Sequence, residues 1–209
     1  ACGLRWPIMI AECDPNNWPL TGAACDAQWD FGNLYSVTSG MLAPIPDPQL
    51  SSQMLAQSLT TSGHSLRVCF AESHDCVSGR DPNLLRVAAR NAQYGTCLSK
   101  AVAALVILCP AAIPMLFMGQ EIADSRPFHH DFSEDPKRPD IADSSSLFYA
   151  NVEMLLKTNP NSVAVFKWFT ELLHLRRQHI SGRPRNVSVV GRGNNTLSFS
   201  AGQNNSLFV

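Results

Sequence analysis

Two carboxylic acid side chains in this sequence each follow a short apolar segment. Glu12 comes directly after the apolar residues 8–11, and Asp75 follows His74 at the end of a segment that includes Phe70. Apolar runs of this length are consistent with buried strands. Carboxyl groups can donate and accept protons during bond cleavage, so two of them at strand ends indicate acid–base chemistry. That chemistry requires both strands to end at the same edge of one sheet.

A third apolar segment, residues 112–117, runs into Gly119, Gln120 and Glu121 in the same way. With a further strand between the first two acids, the pattern predicts four strands, at residues 7–12, 24–31, 66–72 and 112–117. In parallel α/β barrels the active site lies at the carboxyl ends of the strands. We therefore expect Glu12, Asp75 and Glu121 to project from one end of a parallel sheet.

The segments between these strands predict helices. Apolar spacing and proline breaks place the helices at residues 33–42, 49–60, 84–108 and 163–179. Alternating strands and helices favour an α/β fold with a parallel sheet. Residues 119–162 are polar and proline-containing, and they are predicted to form one long functional connection.

The uncharged run at residues 101–118 reaches the lower limit of length for a transmembrane helix. Pro110 and Pro114 interrupt it. A buried helix that ends before Pro110, a short turn and a strand explain the same residues, and this is the arrangement that we predict.

Composition excludes several classes of function. The chain has 209 residues, a formal net charge of -1, 45% hydrophobic and 16% charged residues. Such a chain buries a core and attracts neither nucleic acid nor an anionic membrane by charge, whereas a neutral sugar substrate fits. The seven cysteines contain no C-x-x-C pair of the kind that ligates zinc or performs redox chemistry. Neither a metal nor a cofactor is expected. With no signal-peptide pattern, the three N-x-S/T patterns at Asn186, Asn194 and Asn204 are interpreted as a turn-rich tail, and a cytoplasmic location is expected.

Five segments occur in an order that is typical of one enzyme family. They read IAE, CDAQWD, FAESHD, IPMLFMGQE and LLHLRRQH, and they extend from Ile8 to His179. The sequence resembles the α-amylase superfamily, glycoside hydrolase family 13, and most closely its branching-enzyme-like members. The resemblance implies that residues 1–182 form the second half, about strands 5–8, of a TIM (β/α)8 barrel. Residues 183–209 would begin an all-β C-terminal sandwich domain.

The length of the chain bears on this interpretation. A complete barrel needs roughly 250 residues, and no segment matches the fourth strand, which in the family carries the nucleophilic Asp and an Arg two residues before it. We therefore expect a fragment that is inactive by itself.

The resemblance assigns roles to the acids. Glu12 is implied to be the general acid/base, Asp75 the transition-state stabiliser, and His74 a hydrogen-bond donor to the same sugar. From the residues alone, Glu12 is also compatible with a surface acid at a strand end, and Asp75 with a turn that closes a strand. Cys76 stands where relatives carry Glu, Gln or Asn, which places the subsite preference in doubt.

Two further residues complete the expected site. Trp29 either stacks on a sugar face or packs as a core aromatic residue. Glu121, at the end of the last barrel strand, is expected to support the sugar site. Arg176 and Arg177 are explained by the partial negative charge of a helix C-terminus.

The implied substrate is an α-1,4-linked glucan, cleaved with retention of configuration. Transfer to a sugar hydroxyl, as in a branching enzyme, is the first interpretation. Hydrolysis by an α-amylase or a trehalose-releasing enzyme is the alternative, and a non-catalytic barrel that serves as a binding or partner subunit is a third.

Overall fold

A computed structural model describes residues 7–13, 17–32, 66–74, 95–110, 112–124, 149–180, 187–193, 196–201 and 207–208. Asp75 and Cys76 lie outside the described residues. The same holds for the predicted helices at residues 33–42 and 49–60, and for the first part of the helix predicted at residues 84–108.

The centre of the fold is a parallel sheet. Its strands are β1 (Ile10–Ala11), β2 (Ala27–Trp29), β3 (Leu66–Cys69) and β4 (Ala112–Pro114). They lie in sequence order, and each pairs in parallel with the next. The four strands fall within the four predicted segments, although each is shorter than its apolar pattern.

Three helices are described, α1 (Gly95–Leu108), α2 (Tyr149–Thr158) and α3 (Pro160–His179). The Asn159 side chain caps α3, accepting hydrogen bonds from the backbone N–H groups of Asn161 at 3.0 Å and Ser162 at 3.4 Å. Pro160 suits the first turn, where its missing N–H would have no helical partner. The expectation of one long connection over residues 119–162 was wrong at its end, because α2 and the start of α3 lie within that range. Helix α2 was not predicted because polar residues, among them the exposed Glu153 and Lys157, interrupt its apolar pattern.

The apolar run at residues 101–118 forms the predicted helix, turn and strand. Helix α1 ends at Leu108, and β4 begins at Ala112. Across the part of the chain that the structure describes, no helix is long and apolar enough to cross a membrane.

The core lies between the sheet and the helices. It joins Cys69 and Ala112 of the sheet to residues of α1 and α3, including Val106, Ile107, Val165, Phe169 and Leu172. Since side chains alternate along a strand, Arg67 shares this helix-covered face with Cys69. Trp29, Val68 and Ile113 are register partners on the opposite face. We call it the open face because Trp29 and Ile113 keep part of their surface accessible, although Val68 is buried.

Arg176 fixes the connection between α1 and β4. Its guanidinium donates hydrogen bonds to the carbonyl oxygens of Ile107 at 2.6 Å, Cys109 at 2.9 Å and Ala112 at 2.5 Å. The explanation from helix charge alone was therefore wrong for Arg176, because its specific partners are carbonyl groups at the end of α1 and the start of β4. The clamp orients the strand that leads to Glu121.

The tail forms an antiparallel sheet of β5 (Val187–Gly193), β6 (Thr196–Ala201) and β7 (Leu207–Phe208). This confirms the β pattern predicted there. Phe199 of β6 is buried in the same cluster as α1 and α3. That residues 183–209 begin a separate domain stays a prediction.

Candidate active site

The parallel sheet brings the predicted strand ends to one edge. Because all four strands run in the same direction, their carboxyl ends meet there. Glu12 follows β1, His74 follows β3 after four residues, and Glu121 lies beyond β4. Three of the five predicted site residues therefore emerge from the carboxyl edge, and Trp29 is the last residue of β2. Asp75, the fifth, lies outside the described residues.

Glu12 is exposed to solvent directly after β1. An acid/base catalyst must reach the scissile oxygen of its substrate, so this exposure is compatible with the predicted role.

The connection that follows Glu12 is held by Gln28 of β2. The side chain of Gln28 accepts a hydrogen bond from the backbone N–H of Asn17 at 2.7 Å and donates one to the Asn17 carbonyl at 2.9 Å. Gln28 is completely buried. The short 3-10 helix Trp18–Leu20 begins directly after the anchored Asn17, so one buried amide fixes the segment between β1 and β2.

Trp29 and His74 lie together at the open face. Their ring centroids are 6.4 Å apart in an edge-to-face arrangement, a favourable geometry for aromatic rings. The ring centroid of Phe70 lies 5.2 Å from that of Trp29 and 5.4 Å from that of Phe31. Trp29 remains half-buried, so it is neither a fully buried core residue nor a freely exposed one. The packed part orients the ring, and the accessible part is available to a ligand.

Glu121 is held in a tight turn after β4. Its Oε2 atom accepts a hydrogen bond from the backbone N–H of Gly119 at 2.9 Å. Gly119 has a φ of +90°, a left-handed conformation that glycine adopts without steric cost. The turn leads into the 3-10 helix Gln120–Ile122 and holds the Glu121 carboxylate beside its own backbone.

A groove of about 500 Å³ lies between this turn and α3. We call it the β4 groove. Glu121 and Thr170 are its polar lining residues, and the apolar ones are Leu116, Phe117, Met118, Phe166, Phe169 and Leu173. The groove flanks the carboxyl edge on the β4 side.

The helix-covered face holds a buried ion pair that sequence reasoning missed. The Nη1 atom of Arg67 lies 3.0 Å from Oδ2 of Asp30, and the two side chains are 2% and 0% exposed. The second terminal nitrogen of Arg67 donates to the Sγ atom of Cys109 at 3.6 Å. Burial by itself lowers the pKa of Arg67, but the surrounding thiols and Asp30 outweigh it and raise that pKa above its usual value. Arg67 therefore stays charged.

Cys69 belongs to the same buried layer. Its hydrogen bond with Cys109, together with burial, raises the pKa of the Cys69 thiol well above its usual value. A neutral buried thiol is a poor nucleophile and a poor metal ligand. In the part of the chain that the structure describes, no group of three or more His, Cys, Asp or Glu side chains could hold a metal ion.

Two further polar residues near the carboxyl edge were not predicted. Glu72 is 2% exposed and Gln120 is 6% exposed. In the sequence Glu72 is one residue of the FAESHD segment, and nothing in its spacing distinguishes a buried acid from an exposed one. Burial of such groups depends on neighbours that are distant in sequence.

Comparison with known proteins gives structural likeness without sequence likeness. No family model and no curated protein matches the sequence. The alpha-amylase from H. orenii matches with a TM-score of 0.57 and 14% identity, over 94% of this chain and 41% of that chain. An alpha-amylase from Malbranchea cinnamomea matches with a TM-score of 0.56 and 17% identity, over 92% and 37%.

The chain shares its fold with part of these α-amylases. It spans about 40% of the length of either enzyme. At this identity the likeness establishes the fold alone, and it assigns neither a family nor an activity. The catalytic assignments therefore rest on the motifs and on the geometry of the carboxyl edge.

Proposed function

We propose that this chain supplies the acid/base part of a retaining enzyme that acts on α-1,4-linked glucans. The observation that carries the proposal is the shared carboxyl edge, at which an exposed Glu12, the Trp29–His74 pair and Glu121 follow neighbouring parallel strands. The likeness to α-amylase structures supports the same conclusion at the level of the fold.

In this proposal Glu12 protonates the glycosidic oxygen as the bond to the leaving sugar breaks. It then removes a proton from the acceptor hydroxyl, so that it ends the cycle protonated again. A correctly placed general acid–base group contributes about 10²–10⁴-fold to a rate. Its exposure lets it reach a polysaccharide that binds across the edge.

Trp29 and His74 bind the sugar beside the reacting bond. The accessible part of the Trp29 ring offers an apolar surface for a pyranose face, while His74 donates hydrogen bonds to hydroxyl groups. Asp75, next to His74 in the sequence, would hold hydroxyls whose hydrogen bonds strengthen as the ring flattens, an effect worth several kcal/mol. Glu121 supports the edge through its turn.

Retention requires a second carboxyl, about 5–5.5 Å from the first, as nucleophile. The family resemblance places that Asp on a fourth barrel strand, which no segment of this sequence matches. We therefore propose that turnover needs a polypeptide segment carrying that strand, and that the chain by itself does not turn over glucan.

The acceptor decides between transfer and hydrolysis. Branching-type transfer follows from the sequences of the ESHD and IPMLFMGQE segments, and it remains our first assignment. Hydrolysis is favoured by a separate observation, because the structural neighbours are named as α-amylases. A non-catalytic binding subunit is the remaining alternative. Such a subunit needs no acid/base group, so it does not account for the exposed carboxylate of Glu12.

The test joins this chain to a fourth-strand-containing half barrel from a close relative and supplies amylose. Branching lowers iodine staining without releasing reducing ends, whereas hydrolysis releases reducing ends in proportion. We expect Glu12→Gln to lower the rate by about 10²–10⁴-fold. Glu171→Gln, at an exposed position of α3, should leave it unchanged.

Two results would contradict the proposal. Full activity of the Glu12→Gln hybrid would exclude Glu12 as acid/base. Turnover by the 209-residue chain alone that Glu12→Gln abolishes would show that the nucleophile lies within this chain.

A further inference from the structure

Two buried thiols lie together on the helix-covered face of the parallel sheet. Cys69 is the last residue of β3, Cys109 directly follows α1, and both are completely buried. Their side chains are hydrogen-bonded to each other. Both thiols are free, and the acid–base chemistry proposed for the carboxyl edge uses neither of them. Two thiols in contact have the arrangement that disulfide formation requires.

The buried ion pair gives each of these sulfur atoms a different neighbour. The Nη2 atom of Arg67 donates a hydrogen bond to Sγ of Cys109 at 3.6 Å. The thiol of Cys69 instead donates to Oδ2 of Asp30 at 3.9 Å. A guanidinium group beside a thiol favours the thiolate, which is the reactive form of cysteine, whereas a carboxylate can accept a thiol proton. Cys109 is therefore placed to react first, and Cys69 to react second.

We propose that Cys69 and Cys109 form a reversible disulfide bond when the protein meets a small peroxide. The bond would lock the end of β3 to the chain between α1 and β4. We call these two cysteines, together with Arg67 and Asp30, the redox site. It lies on the sheet face opposite to Trp29, so the proposal does not depend on the sugar site.

The first step oxidises Cys109. Its thiolate attacks one oxygen of hydrogen peroxide, the O–O bond breaks, and the products are a sulfenic acid and hydroxide. Hydroxide takes up the proton that the Cys109 thiol released and becomes water. The positive charge of Arg67 stabilises the thiolate until it reacts.

The second step joins the two cysteines. The Cys69 sulfur attacks the sulfur of the Cys109 sulfenic acid, so that an S–S bond forms while the S–O bond breaks. Its proton passes to Asp30 during the attack, which makes the neutral thiol reactive at this step, and then converts the departing hydroxide to water. In total two thiols lose two electrons, and one peroxide becomes two waters.

Burial slows the reaction without preventing it. Cys109 follows Leu108, the last residue of α1, and a helix end opens at a lower free energy than a core strand does. Arg176 holds the carbonyl oxygens of Ile107 and Cys109, so its guanidinium limits how often this end opens. We expect rotation of the two side chains to shorten the sulfur–sulfur distance to about 2.05 Å in the bond.

The first test treats the native 209-residue chain with hydrogen peroxide and then maps its cysteines by mass spectrometry without a reductant. We expect the peptide with Cys69 to be linked to the peptide with Cys109, with the loss of two hydrogen atoms. Dithiothreitol should reverse the link, and Cys97→Ala, at an exposed thiol, should form the same link. Oxidation of Cys97 in a folded chain without a link between Cys69 and Cys109 overturns the proposal.

Single variants distinguish the two thiols. In Cys69→Ala, position 109 should stop at the sulfenic acid, which dimedone traps. In Cys109→Ala, Cys69 should stay unmodified. Circular dichroism before treatment checks the fold, and Cys69→Ser and Cys109→Ser replace an alanine variant that does not fold. Equal dimedone labelling of the two variants contradicts the order of reaction.

Urea denaturation tests the lock. A disulfide bond restricts the unfolded chain, so the oxidised protein should unfold at a higher urea concentration than the reduced protein. Arg176→Leu should form the bond faster, because the end of α1 then opens more often, and Arg177→Leu should react at the wild-type rate. An oxidised protein that is no more resistant to urea contradicts the lock. None of these measurements involves glucan, so they test the redox site separately from the proposed function.

Discussion

The two faces of the parallel sheet are built from different chemistry. The helix-covered face holds the Arg67–Asp30 ion pair, Cys69 and Cys109, all essentially inaccessible. The open face holds the half-buried Trp29 beside His74, with exposed Ile10 and Ile113 at its edges. The same strands therefore serve two purposes through side-chain alternation.

This difference separates stability from binding. A buried ion pair is expensive to break, because the remaining charge stays in an apolar environment. It can hold β2 and β3 in register while the opposite face keeps the half-buried Trp29 and the exposed His74. We expect substitutions on the helix-covered face to lower the free energy of unfolding, and those on the open face to affect ligand binding.

The largest effect is expected for Asp30→Ala. Removing this carboxylate leaves Arg67 buried without its ion pair, which costs about 3–5 kcal/mol of unfolding free energy. Urea denaturation followed by circular dichroism measures it. The double variant Asp30→Leu/Arg67→Met should recover most of the loss, since neither position then carries a charge. If Asp30→Ala is neutral, the ion pair does not stabilise this face.

The next effect is expected for Arg176→Leu. Three carbonyl oxygens lose their charged donor, and hydrogen bonds to charged groups are worth about 1.5–3 kcal/mol. We expect urea denaturation to show a free energy of unfolding that is lower by an amount in that range. Arg177→Leu is the matched control, because Arg177 is the neighbouring exposed residue of α3. Equal losses in both variants would restore the explanation from helix charge alone.

Trp29→Ala tests the open face. Because Trp29 is only half-buried, we expect the free energy of unfolding to fall by about 2 kcal/mol, less than on truncation of a fully buried aromatic residue. Binding of maltoheptaose to the joined hybrid should weaken roughly tenfold, equivalent to about 1.4 kcal/mol. Calorimetric titration measures the affinity. Trp168→Ala, on α3, should leave that affinity unchanged, and an unchanged affinity for Trp29→Ala would remove Trp29 from the sugar site.

The smallest effect concerns alkaline pH. The pKa of Cys69 is raised on folding, so above about pH 9 the unfolded chain releases a proton that the folded chain keeps. Stability should therefore be complete below this pH and fall above it, by up to about 1.4 kcal/mol per pH unit for one thiol. Denaturation midpoints measured between about pH 7 and about pH 10 should fall less steeply with pH for Cys69→Ala than for the wild type. Cys97→Ala, at an exposed thiol, should keep the wild-type slope.

The local sequence pattern was sufficient to predict the strands of the parallel sheet. Apolar runs ending in Glu12, His74 and Glu121 predicted strands, and the structure has a strand before each. Pro110 correctly ended α1. Helix α2 was missed because polar residues such as Glu153 and Lys157 interrupt the apolar pattern that marks a helix.

The sequence by itself determined the α/β order, the breaks at proline and the acids that follow strands, because these depend on neighbouring residues. Only the tertiary structure decided which charges are buried and which aromatic rings meet. Arg67 donates a hydrogen bond to Asp30, which is 37 positions away in the sequence. Arg176 donates one to the carbonyl of Ile107, which is 69 positions away. Such pairings depend on how strands and helices pack, since a single charged residue in a strand has the same local pattern whether it faces a core or solvent.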